Sequence, residues 1–151
     1  MSDLAERICC HPFFKGLKPE HLTVLTYQAQ ERTFEPGILL FREGEPANAF
    51  YLIESGAIAL EAHVPSKGPV VVQRLGSGEV LGWSWLFPPF TWHFHARALE
   101  RTSVIVLSGA HLLITAEHNS EFGYALLKRI SQIVIHRLQA QRAYWLATLA
   151  A

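Results

Sequence analysis

The residues best equipped for chemistry lie in one short stretch, Gly82 to Phe94, which reads GWSWLFPPFTWHF and holds three tryptophans and three phenylalanines in thirteen positions. Rings at that density either fill a core or line a pocket in which a flat ligand stacks. Ser84 adds a hydroxyl that, with free helix-start amides, can hold a small anion. His93 and His95 form an H-x-H pair, and Glu100 follows on the same strand-like run. Two histidines and a glutamate on one barrel face are the donors of a cupin metal centre. Here the glycine that should precede them is missing and no second motif supplies a fourth histidine, so a metal-dependent enzyme is the weaker expectation and no metal ligand is assigned. The other histidines, His11, His21, His63, His111, His118 and His136, are scattered and read as surface or cap residues. Adjacent Cys9 and Cys10 are poorly placed for a disulfide and read as packing thiols of a reducing, cytoplasmic compartment. With no phosphate loop, nucleophile elbow or paired-carboxylate motif, no catalytic residue is assigned and an enzyme is not expected.

The elements that must position this stretch change character along the chain. Pro19 to Tyr27 places Leu22 and Leu25 on a helical face, and Ser2 or Asp3 can cap an earlier turn. From Thr33 the apolar period becomes two. Pro36-Gly37, Gly44 to Pro46, Ser55-Gly56, Lys67 to Pro69, Gly76 to Gly78 and Pro88-Pro89 punctuate brief apolar runs. Turn signals this close together predict antiparallel strands in a sandwich, roll or barrel. The expected strands are Phe34 to Phe41, Ala49 to Glu54, Ala57 to His63, Val70 to Leu75, His93 to Leu99 and Ser103 to Leu107. On the last but one, alternation sends Trp92, Phe94, Ala96 and Ala98 inward and His93, His95 and Arg97 outward.

Helical pattern returns with a short helix from Gly109 to Ala116 and a long one from Ser120 to about Leu146. Leu127, Ile130, Val134, Leu138, Gln141 and Trp145 recur at spacings of three and four, more stripe than a small barrel needs for cover. Part of it is expected to meet a second copy of the chain. The chain has 151 residues, half of them apolar, and equal numbers of acidic and basic side chains. That length suits one domain, and the balanced charge gives no field to draw it to DNA or acidic lipid. Four basic residues and no carboxylate lie beyond Phe122, and the helix dipole accounts for part of that bias. No apolar run reaches the roughly eighteen residues of a membrane span, and the first residues carry no signal peptide.

Four segments together resemble the cyclic nucleotide-binding domains of the Crp/Fnr, or catabolite-activator, type. They are FFKGL at 13–17, EPGILLFREGEPANAFYLIESGAIAL at 35–60, LGSGEVLG at 75–82 and HARALERTSVIVL at 95–107, and the likeness runs from about His11 to Tyr144. The resemblance implies a mainly β (α+β) fold: an antiparallel jelly-roll barrel over about 33–108, short N-terminal helices, and a long C-terminal helix at about 120–146 that pairs two copies. It implies a stand-alone regulatory domain of residues 1–151 without a helix-turn-helix. A ligand cassette is implied too, in which a Phe-Gly-Glu triplet opens a short helix, the glutamate holds a ribose hydroxyl and a later arginine neutralises a cyclic phosphate.

Both anchors differ here. Leu81-Gly82-Trp83 stands at the triplet, and Trp92 stands at the arginine position. An indole offers one N–H donor and no charge, so it neither accepts from a ribose hydroxyl nor offsets a phosphate. The expected ligand site is Gly82, Trp83, Ser84, Trp85, Leu86, Trp92 and His93, with ordinary cyclic AMP binding argued against. The chain reads as a ligand-sensing regulatory domain taking some other nucleotide or small molecule. The alternative is an interaction or scaffold domain whose pocket is plugged by Trp83 and Trp92.

Overall fold

The computed structural model describes residues 2–150 and the side chains of residues 4–150. The expected cap at Ser2 or Asp3 falls outside those side chains. Two compact units divide the chain, Met1–Ile114 and Thr115–Ala151.

The first unit opens with helix α1 (Ser2–Cys10) and helix α2 (Pro19–Leu25), the latter with proline in its first turn, where a missing N–H costs nothing. Eight strands follow: β1 (Gln30–Phe34), β2 (Leu39–Phe41), β3 (Ala49–Ser55), β4 (Ala57–Val64), β5 (Gly68–Gly76), β6 (Val80–Leu81), β7 (His95–Ala98) and β8 (Thr102–Ser108). They form two antiparallel four-stranded sheets, in the orders β1-β8-β3-β6 and β2-β7-β4-β5. The jelly-roll composition is as expected, but the two sheets do not close into one barrel. Pro36-Gly37 also splits the expected strand Phe34 to Phe41, because proline cannot donate to a ladder and Gly37 sits at φ 89°.

β3 is buried from Ala49 through Ile53, on both faces. Tyr51 turns toward Phe41 and Trp92, whereas Phe50 meets Phe13, Phe14 and Trp85. Cover on both sides is why AFYLI is uninterrupted apolar sequence. At the β3–β4 turn Gly56 has φ 103°, and a Cβ there would lie 2.4 Å from Thr102 Oγ1 and 2.6 Å from Thr102 Cα. Only glycine fits both demands. Thr102 is fully buried and uses its hydroxyl on Ala57 N, Ala57 O and Glu100 O.

Helix α3 (Gly109–His118) starts where Ser108 Oγ accepts the His111 amide at 3.2 Å. In the second unit, helix α4 (Ser120–Ala150) is capped by Asn119, whose Oδ1 accepts from Phe122 N at 3.1 Å. Phe122, Leu126 and Ile130 are its buried residues.

Candidate functional site

Gly82 marks the centre of the site. It follows β6, whose register sets Leu81 opposite Tyr51, and it adopts φ 92°. A Cβ there would lie 2.8 Å from Ala49 O, 3.1 Å from Trp92 Cη2 and 3.2 Å from Tyr51 Cδ2. The tip of the Trp92 indole therefore rests directly on this glycine. Trp92 is only 4% exposed and stacks on Phe41 with ring centroids 3.8 Å apart and planes 12° from parallel. Tyr51 completes a three-ring cluster at 5.8 Å from Phe41 and 6.4 Å from Trp92. Burial raises the Tyr51 phenol above its ordinary pKa, with the Arg32 charge acting in the opposite sense.

Trp92 is anchored through its backbone as well. Its N–H donates to Glu45 O at 2.9 Å and its carbonyl accepts from Gly44 N at 2.8 Å. The Glu43–Glu45 turn thereby fixes where the indole enters.

The remaining expected site residues separate. Trp83 is half-buried and precedes a three-residue 3-10 turn, Ser84–Leu86, not a longer helix. Leu86 N and Phe87 N are already used on Trp83 O and Ser84 O. Trp85 turns away from the ring cluster into the core, where its Nε1–H donates to Gly82 O and its ring meets Phe50 edge-on at 6.0 Å. Gly109 makes room for it, since a Cβ at 109 would fall 2.5 Å from Trp85 Cγ. Ser84 and Leu86 are half-buried, and His93 is exposed.

Phe94 corrects the alternation expected of this strand. It is 39% exposed, because β7 begins only at His95 and residues 93–94 form a bend. From His95 onward the alternation holds: Ala96 and Ala98 are buried and share a face with Leu60 and Ile58, while Arg97 lies on the opposite face. Arg97 is engaged there, with Nε on Glu61 Oε2 at 3.0 Å and Nη1 on Gly37 O at 2.8 Å. Glu61 Oε1 is buried and has no hydrogen-bond partner among the described residues.

His95 Nδ1 accepts from Glu43 N at 3.0 Å, so His95 is committed to the backbone. Among the described residues no group of three or more His, Cys, Asp or Glu side chains is placed to hold a metal ion. Phe41 and Tyr51 are the site residues that sequence reasoning missed. Their signal was the pairing of the FYLIESG strand with the segment before Gly82, which only a known register reveals.

The sequence matches the description of the cyclic nucleotide-binding domain over residues 31–119, more than half of the chain. The chain belongs to that family. Among its relatives is the cyclic AMP receptor protein of Thermus thermophilus, 28% identical over 130 residues, which cover 85% of this chain and 54% of the receptor. Four other curated relatives are matched over 21% to 34% of their length, so this chain corresponds to one part of larger proteins. A cyclic nucleotide-binding domain from Methylobacillus flagellatus superposes with a TM-score of 0.82 at 21% identity, over 97% of this chain and 84% of that one. The regulatory subunit of a cAMP-independent protein kinase A from Trypanosoma cruzi, bound to guanosine, gives a TM-score of 0.68 at 17% identity, over 77% of this chain and 42% of that one. No helix among the described residues is long and apolar enough to cross a membrane.

Proposed function

We propose that this chain is a regulatory, non-enzymatic domain of the cyclic nucleotide-binding fold whose cassette is filled by its own aromatic side chains and does not take cyclic AMP in the ordinary way. The observation that carries this reading is the Trp92 ring, stacked on Phe41 and seated on Gly82. A ligand at Gly82 would have to displace a buried indole. A phosphate there would also need a cation, because an uncompensated buried charge costs several kcal/mol. Arg97, the arginine nearest Trp92 in sequence, is held by Glu61 and Gly37 on the face of β7 opposite Ala96 and Ala98.

Regulation then runs through protein contacts. Beyond Ile130 no residue of α4 is buried, and Val134, Leu138 and Trp145 of the sequence stripe stand exposed. A second copy of the chain laid along this helix would cover them. Cys9 and Cys10 are both free thiols, consistent with a reducing compartment.

A second reading, a sensor for a flat uncharged ligand, is supported by the half-buried Trp83 beside Gly82 and by the guanosine held in the trypanosomal relative. It requires Trp92 to swing aside.

Thermal unfolding in the presence of cyclic AMP, cyclic GMP, guanosine or divalent metals separates these readings. A ligand at one hundred times its Kd adds about 2.7 kcal/mol to the native state. The expected result is no shift with any of them. A shift with guanosine alone supports the sensor, and a shift with cyclic AMP overturns the filled-cassette reading. The paired change Trp92→Arg with Trp83→Glu is expected to create cyclic AMP binding where the parent chain has none.

A further inference from the structure

His11 is a buried histidine outside the cassette, 5% exposed, with both ring nitrogens engaged. Nδ1 lies 3.2 Å from Phe13 N, an amide that can only donate, so Nδ1 must be the unprotonated nitrogen. Nε2 then carries the proton and donates to Ile53 O, at 3.1 Å, in β3. This pair of contacts is open only to the neutral ring in one tautomer. An imidazolium would bring an N–H against the Phe13 N–H and a charge into a buried site.

We propose that His11 is a proton-operated latch for the N-terminal arm: neutral, it clamps the end of α1 onto β3, and protonated, it lets go. The proposal is independent of how the cassette is occupied. One turn earlier, Arg7 makes a further polar attachment of the arm, with Nε 2.9 Å from Glu54 Oε2 and Nη1 2.7 Å from Glu31 Oε1. Among the described residues, the charged groups around the latch are Arg7 on the preceding helix α1, Glu54 on β3 and Glu31 on β1. Glu79, in the turn against which Pro12 packs, is occupied with Gly76 N. Of these attachments, the His11 pair is the one whose geometry admits only an uncharged ring. Burial lowers the His11 pKa below its ordinary 6.5 and outweighs the opposing pull of the Ile53 carbonyl and Glu54.

Release has a path inward. Phe13, two residues on, contacts Phe50 at 5.1 Å, and Phe50 meets Trp85, whose indole bonds the Gly82 carbonyl. Freeing the arm removes one wall from the ring that backs the cassette.

Hydrogen exchange of the full chain between pH 7.5 and 5, corrected for intrinsic rates, tests the latch. Amide protection in residues 4–15 is expected to fall by up to tenfold per pH unit once pH drops below 6.5, while β8 keeps its protection. His11→Gln should abolish that step, and His21→Gln should leave it. A step that survives His11→Gln or disappears with His21→Gln overturns the proposal. Should His11→Gln fail to fold, ring nitrogen NMR of the parent chain decides. The neutral ring with its proton on Nε2 at pH 7, titrating in step with lost protection, is expected. A ring already charged at pH 7, or one with its proton on Nδ1, overturns it.

Discussion

Trp92 is the buried indole of the three-ring cluster over Gly82. Its indole offers a surface that stacks and no charge, and Phe41 and Tyr51 meet that surface. Trp92→Ala is expected to cost about 3–5 kcal/mol of stability, as buried aromatic truncations do, and to leave an apolar, cation-free void above Gly82. Free indole should restore part of the lost Tm to that variant and none to the parent chain; calorimetry with and without indole measures it. Gly56 illustrates a different constraint. Gly56→Ala forces a Cβ into left-handed backbone, costing about 1–3 kcal/mol, and drives it against Thr102 besides. Urea unfolding should show the lower midpoint, and an unchanged midpoint would contradict the packing described at this turn.

At the scale of elements, patterns that depend on near neighbours were legible and those that depend on distant partners were not. The turn signals located β3, β4, β5 and β8 to within two residues, because glycine and proline act on their own backbone. β1 from Gln30 and the two-residue β6 escaped notice, since β1 shows little burial pattern and β6 is defined only by pairing with Tyr51 and Leu52. Helix α4 extends to Ala150, 31 residues and about 46 Å at 1.5 Å per residue. Within its expected stripe Ile130 is buried, while Leu138 and Trp145 are 67% and 69% exposed. An apolar run that its own chain leaves uncovered fits association along the helix. Leu138→Glu is expected to shift the protein from dimer toward monomer in sedimentation velocity without lowering its helix content. A parent chain that is monomeric at all concentrations would remove the dimer from the proposed function.

For the whole molecule, the balanced charge leaves pH response to individual sites. Because His11 has a lowered pKa in the folded state, the unfolded chain binds more protons than the native one as pH drops below about 6.5. The native state is accordingly favoured in full above that value and loses stability as pH falls through the folded pKa. Denaturant titrations at pH 7.5, 6.5 and 5.5 should give equal stability at the first two and a decline at the third, and His11→Gln should flatten the profile. Stability that rises on acidification would contradict the buried neutral ring.

Sequence alone determined the order of most elements, the mainly antiparallel architecture and the family, because each rests on local backbone preference, on periodicity or on motifs contiguous in the chain. Tertiary structure decided the fates of the individual rings. Trp85 and Trp92 are chemically identical and seven residues apart, yet one bonds the Gly82 carbonyl and meets Phe50 while the other stacks on Phe41. What separates them is which side of β3 each faces, that of Phe50 or that of Tyr51, neighbours in sequence that point in opposite directions. The same holds for His11, whose Nε2 meets a carbonyl 42 residues away. Contacts of that kind depend on register and sheet packing, which no local pattern encodes.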